Sequence, residues 1–129
     1  MAAEEWERLK RRDTPSAPVL DSEAEHAARL FLDVLKKSYD VAELIAFGSR
    51  ARGDNRADSD LDLAVILNGA RKNFLDTKLD MANCAFDVLM ETGILVQPLP
   101  LWKDDLRRPE NFSNPDLIKN ILAEGARVA

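Results

Sequence analysis

Three observations predict an α+β fold, a small mixed β-sheet covered by helices. Helical and strand periodicities alternate along the chain in the order helix, strand, turn, strand, helix, strand, helix. The first two strand-like runs, "VAELIAFGS" and "SDLDLAVIL", are short, apolar and close together in sequence. The third, "ILVQPLPLW", contains Pro98 and Pro100. A central strand cannot hold both, so at least its second half lies at a sheet edge. The chain has 129 residues, 46% apolar and 32% charged. It is therefore long enough to bury one core without disulfides and too apolar to be a disordered chain.

Taken in order, "MAAEEWERLKRR" is predicted as a short surface helix, with Glu4/Arg8 and Glu7/Arg11 at the favourable i, i+4 spacing. It carries three glutamates and lacks an apolar h-region, which argues against a mitochondrial presequence and a secretory signal respectively. "DTPSAP" then reads as a linker, so residues 1–20 form an extension and linker before a domain at 21–129. "DSEAEHAARLFLDVLKKS" is a helix in which Ser22 and Glu25 have capping-box spacing. Ala24, Ala28, Phe31 and Leu35 make its stripe, widened by Ala27 and Val34. Lys36 and Lys37 suit its last turn. "VAELIAFGS" is a buried strand ending in a glycine turn, and "SDLDLAVIL" a second strand closed by Asn68-Gly69. In "NFLDTKLDMANCAFDVLMETG", Leu75, Leu79, Ala82, Phe86 and Leu89 recur at 4-3-4-3 spacing, the apolar stripe of a long amphipathic helix that Gly93 terminates. "RRPENFSNP" is a loop. Asn114 caps the last helix with Pro115 at its first position, its stripe being Leu117, Ile118, Ile121 and Leu122.

The net charge of −5, from 18 basic and 23 acidic residues, argues against a stand-alone nucleic-acid binder, which carries a basic footprint. No apolar stretch is long enough to span a bilayer. Cys84, the only cysteine, allows neither an internal disulfide nor a cysteine metal site and reads as a packing residue in a helix. A reducing cytoplasm is the expected compartment. His26, the only histidine, reads as a helix-surface residue with no nucleophile suggested nearby.

The segment "GSRARGDNRADSDLDLAVIL", residues 48–67, concentrates the chemistry. Residues i and i+2 of a strand share a face, so Asp60 and Asp62 project together while Leu61 and Leu63 face the other way. Two carboxylates on one side repel unless a proton or cation lies between them. Mg²⁺ binds through one or two carboxylates plus substrate phosphates, so the expected partner is a metal ion carrying a polyphosphate. Gly48-Ser49 follows a strand and opens a short helix, a turn whose N–H groups can cradle phosphate. Arg50, Arg52 and Arg56 add positive charge. For Arg52 the alternative is a salt bridge that pins the loop to Asp54 or Asp58.

Gly48-Ser49, ten intervening residues and Asp60-Leu61-Asp62 resemble the GS-x10-DxD pattern of the DNA polymerase beta-like nucleotidyltransferases. The fuller "GSRARGD…SDLDLAV" is similar to the minimal nucleotidyltransferase branch, over about Asp21 to Gly125. The resemblance implies that fold and a Mg²⁺-dependent, two-metal transfer of a nucleoside monophosphate, AMP from ATP or its equivalent from another NTP, to an acceptor hydroxyl. It implies metal-holding, catalytic roles for Asp60 and Asp62, with Gly48, Ser49, Arg50, Arg52 and Ser59 around the nucleotide. It also implies a third carboxylate on a neighbouring strand. In "ILVQPLPL" the polar position is Gln97, which cannot take a proton. Asp87 and Glu91, or Asp104 and Asp105, are the nearest carboxylates in sequence. Small members of this branch pair with a helical HEPN-type protein in toxin–antitoxin modules, which makes a partner protein an expected acceptor. The alternative is a degenerate member acting as a binding module or antitoxin. Trp102 is expected to pack rather than stack on a base.

Overall fold

The computed structural model describes residues 20–129, the side chain of residue 111 excepted. The proposed N-terminal helix and linker lie outside the described residues. Helix α1 (Ser22–Leu35) leads into β1 (Val41–Phe47), the short α2 (Gly48–Arg52) and β2 (Leu61–Leu67). Helix α3 (Phe74–Thr92) crosses to β3 (Val96–Trp102), followed by α4 (Lys103–Arg107), a 3-10 turn (Pro109–Asn111), α5 (Pro115–Glu124) and β4 (Ala126–Arg127). The sheet order is β3-β2-β1-β4. β1 runs antiparallel to both β2 and β4, and β2 parallel to β3. The sheet is therefore mixed, as expected, and the proline-bearing β3 is an edge strand.

Strand alternation divides the core in two. Leu61, Leu63, Val65 and Leu67 of β2 face α1 and α3, where Phe31, Leu35, Met81 and Val88 pack on them. Ala64 and Ile66 face the other way, onto Leu106, Phe112, Ile118 and Ile121. Burying a residue such as Ile121 contributes about 2 kcal/mol. β4 is held to β1 by Arg127 Nε, 2.7 Å from the buried Glu43. Gly125 is required there because a Cβ would run into the Ile121 carbonyl and the Ile45 side chain.

The structure corrects several local expectations. The cap of α1 is Asp21, whose Oδ1 accepts from Ala24 N at 2.8 Å, rather than Ser22. The short carboxylate of Asp21 is already placed to take the orphan N–H. Lys36 is the C-cap, so it and Lys37 follow the last turn instead of forming it. The segment read as a loop shares its first residue, Arg107, with the helix α4 and holds the 3-10 turn Pro109–Asn111, and Asp105 Oδ2 accepts from Trp102 N at 2.9 Å at the start of α4. The largest difference is α3. Its inward face is Thr77, Met81, Ala85 and Val88, while Leu75, Leu79 and Phe86 of the 4-3-4-3 stripe face solvent.

Candidate active site

Where β1 ends, the backbone turns at once into α2. Gly48 makes that turn at φ 75°, in the left-handed region that side chains rarely enter. A Cβ at position 48 would also force the Asp62 carboxylate to shift, because it would meet Oδ2. The carboxylate of β2 thus lies against the backbone of the Gly48-Ser49 turn.

Asp62 is the second residue of β2, in register with Phe47 of β1 and Gln97 of β3. Asp60, just before the strand, is exposed, and its Oδ2 accepts from Gln97 Nε2 at 3.1 Å. The two aspartates and the glutamine meet at the end of the sheet where β1 finishes and β2 and β3 start. The Asp62 carboxyl is held above the ordinary carboxylate range. Its half-burial is the main cause, the Asp60 charge adds to it, and the nearby Arg52 opposes it. The pair is therefore placed at a mouth rather than in the core, and the Asp60 charge adds to the cost of ionising Asp62.

The loop between α2 and β2 is organised by Arg50. Its side chain is only 4% exposed. Nε donates to the Ser59 carbonyl at 2.9 Å, Nη2 to the Ala57 carbonyl at 3.1 Å, and Nη1 reaches Asp21 Oδ2 at 3.4 Å. This guanidinium serves the loop and the cap of α1 rather than the open side of the carboxylates. Sequence reasoning did not find the Asp21–Arg50 pair, and no spacing signal marks residues so far apart. Ser59 is also a loop residue here: its Oγ accepts from Arg56 N at 2.9 Å. Arg52 is half exposed. Its Nε lies 3.3 Å from Asp54 Oδ2, the salt-bridge alternative, and its Nη1 lies 3.7 Å from Glu124 Oε2 on α5. Ser49 keeps α2 closed, its carbonyl accepting from the N–H groups of Gly53 and Asp54 at 3.0 and 3.1 Å. Of the other sequence candidates, His26 is exposed, Cys84 is partly buried against the core with its thiol pushed up mainly by burial, and Trp102 is buried beneath the Arg71 guanidinium.

The donor set fits one hard cation whose remaining ligands come from phosphate and water. Asp60 and Asp62 are neighbouring oxygen donors, and the Asp60 charge that adds to the effect of burial on Asp62 is what a cation would relieve. It does not supply three carboxylates. Among the described residues no group of three or more His, Cys, Asp or Glu side chains could hold a metal ion. Asp104 and Asp105 follow the far end of β3, and Asp105 is buried against Arg71. Asp87 and Glu91 line a groove between α1 and α3.

A family model described as a nucleotidyltransferase domain matches residues 28–128. The chain belongs to the nucleotidyltransferase-domain family. Its fold is shared with a toxin–antitoxin structure solved with AMP-PNP, at 17% identity and a TM-score of 0.55, over 84% of this chain and 73% of that one. It is shared as well with a candidate nucleotidyltransferase from Sulfolobus solfataricus, at 19% identity and a TM-score of 0.53, over 98% of this chain and 87% of that one. No curated protein matches the chain. No helix among the described residues is long and apolar enough to cross a membrane.

Proposed function

We infer that this chain transfers a nucleoside monophosphate, AMP from ATP, to an acceptor hydroxyl carried by a partner protein. The observation that supports this most is the closeness of the Asp62 carboxylate to the Gly48 backbone: oxygens that would hold a metal lie beside a turn whose N–H groups would take phosphate. Mg²⁺ bound there would neutralise phosphate charge and stabilise the leaving oxygen. Asp60 and Asp62 would hold it. The Gly48 and Ser49 backbone would take the β- and γ-phosphates, and Arg52, already acting on Asp62 through its charge, would offset charge on the reacting phosphate. Arg50 and Ser59 position this machinery by fixing the loop. The acceptor oxygen would bond to the α-phosphorus as the bond to the bridging oxygen breaks and pyrophosphate leaves with its electron pair. The hydroxyl proton would pass to solvent water, because the Gln97 amide is not a base. The toxin–antitoxin neighbour supports an acceptor on a partner, for which a helical HEPN-type protein is the candidate, and a soluble cytoplasmic setting is consistent with it.

Gln97 favours a second reading, a nucleotide-binding module or antitoxin with transfer lost. The two separate when the protein is given α-labelled ATP, Mg²⁺ and an extract of its host cell. Label moving to a protein in an Asp62-dependent manner supports transfer, and Gln97→Glu should then raise the rate by roughly tenfold or more, since a placed base is worth on the order of 10²-fold. Nucleotide binding without any transfer would leave the module reading.

A further inference from the structure

The outward face of α3 is apolar for most of its length. Leu75, Leu79, Phe86 and Met90 are 61%, 58%, 58% and 70% exposed. With Ala82, also exposed, they fall within about 80° of helical arc. This stripe lies well round the helix from the buried line of Thr77, Met81, Ala85 and Val88. Isolated exposed apolar residues need no explanation, but a contiguous run of large ones marks an interaction surface. The 75-79-82-86 spacing is 4-3-4, the seam that receives the knobs of another helix. From Leu75 to Met90 it runs for about 22 Å, or four turns.

The charges beside the seam are one-sided. Asp76, Asp80, Asp87 and Glu91 follow one edge, with Lys78 the only cation of the helix; Asp80 accepts from the Tyr39 hydroxyl and Glu91 lies in the groove beside Lys37 of α1, which leaves Asp76 and Asp87, both exposed, next to the seam. In helix pairs the residues flanking the apolar seam set partner choice. A second copy of this chain is a poor occupant. An antiparallel pair would set the acidic edge against its own image, and a parallel pair would offer four carboxylates one lysine. An occupant with the complementary pattern is an amphipathic helix whose edge is basic.

We propose that the outer face of α3 is the docking surface for a partner protein, which presents an amphipathic helix with Lys or Arg along the edge facing Asp76 and Asp87. The surface stands apart from the Gly48–Asp62 site, so docking does not require nucleotide transfer. The test is Phe86→p-benzoylphenylalanine in the full chain, irradiated in host cells, with the cross-linked peptide identified by mass spectrometry. The expected product is one heterologous chain, joined through a segment with a 4-3 apolar repeat and a basic edge. The purified partner should bind the chain without nucleotide, and Asp76→Lys/Asp87→Lys should weaken binding at least tenfold while circular dichroism is unchanged. A cross-link to a second copy, a cross-link to residues 1–19 of the same chain, no cross-link, or a partner whose binding ignores the charge reversal would each overturn the proposal. Asp62→Asn separates the two accounts, because it should abolish Mg²⁺-ATP binding and leave docking unaffected.

Discussion

Gly48 bears two constraints that favour glycine, a positive φ and close approach to the Asp62 carboxylate. Gly48→Ala should cost about 1–2 kcal/mol through the left-handed backbone alone, read as a lower denaturation midpoint. It should also displace Asp62 enough to abolish Mg²⁺-ATP binding, and an alanine variant with normal binding would remove the close-contact argument. Asp62 makes a second prediction. Its carboxyl is raised mainly by burial and then by Asp60, so the folded state favours the protonated form. The stability this contributes is fully present below the ordinary value of 3.8 and is lost as pH rises through the higher folded value. Asp62→Asn should therefore melt at a higher temperature than wild type at pH 7, with the difference vanishing below that ordinary value. Equal melting temperatures at pH 7 would contradict a folded state in which ionising Asp62 is costly. Both residues were legible in the sequence, since a glycine after a strand and an i, i+2 carboxylate pair are local patterns. Arg50 was not: its charge was visible, but its burial against Asp21 and two carbonyls depends on how the α2–β2 loop folds back.

At the scale of elements, that loop is the part most dependent on one side chain. Arg50→Ala would strand the Ser59 and Ala57 carbonyls and cost roughly 3 kcal/mol by the usual value of hydrogen bonds to a charged group. Urea unfolding measures the loss, and hydrogen exchange should localise the loosening to residues 53–60. Arg50→Lys should recover little, because one ammonium cannot reproduce the fork; full recovery would show that charge alone matters. Helix α3 shows why sequence periodicity found an element and misassigned its face. The helix has two apolar lines, and the stronger one by residue size, Leu75-Leu79-Phe86, is the exposed one. The buried line includes Thr77 and Ala85, small residues that let α3 pack close to α1 and the sheet. A hydrophobic period says that a face is apolar, not what covers it. The α1 cap was misplaced by a single residue for a similar reason: Asp21 and Ser22 are both good caps, and the choice depends on Asp21 also meeting Arg50.

On the scale of the whole molecule, the mixed sheet brings three chain segments to one end, Gly48-Ser49 after β1, Asp60–Asp62 at the start of β2, and Gln97 at the start of β3. The parallel β2–β3 pairing, made by the α3 crossover, is what sets Gln97 in register with Asp62. The strand order thus delivers two carboxylates and a neutral amide where the resemblance drawn from the sequence implies three carboxylates. The account rests on those two carboxylates holding a metal-bound nucleotide. Calorimetric titration of the full chain with ATP, with and without Mg²⁺, tests this most directly, with Asp60→Asn/Asp62→Asn as the comparison. The account predicts saturable binding that needs both the cation and the aspartates, with the double variant folded and silent. Binding that persists in the double variant, or none by the wild type with any of the four nucleoside triphosphates, would contradict it.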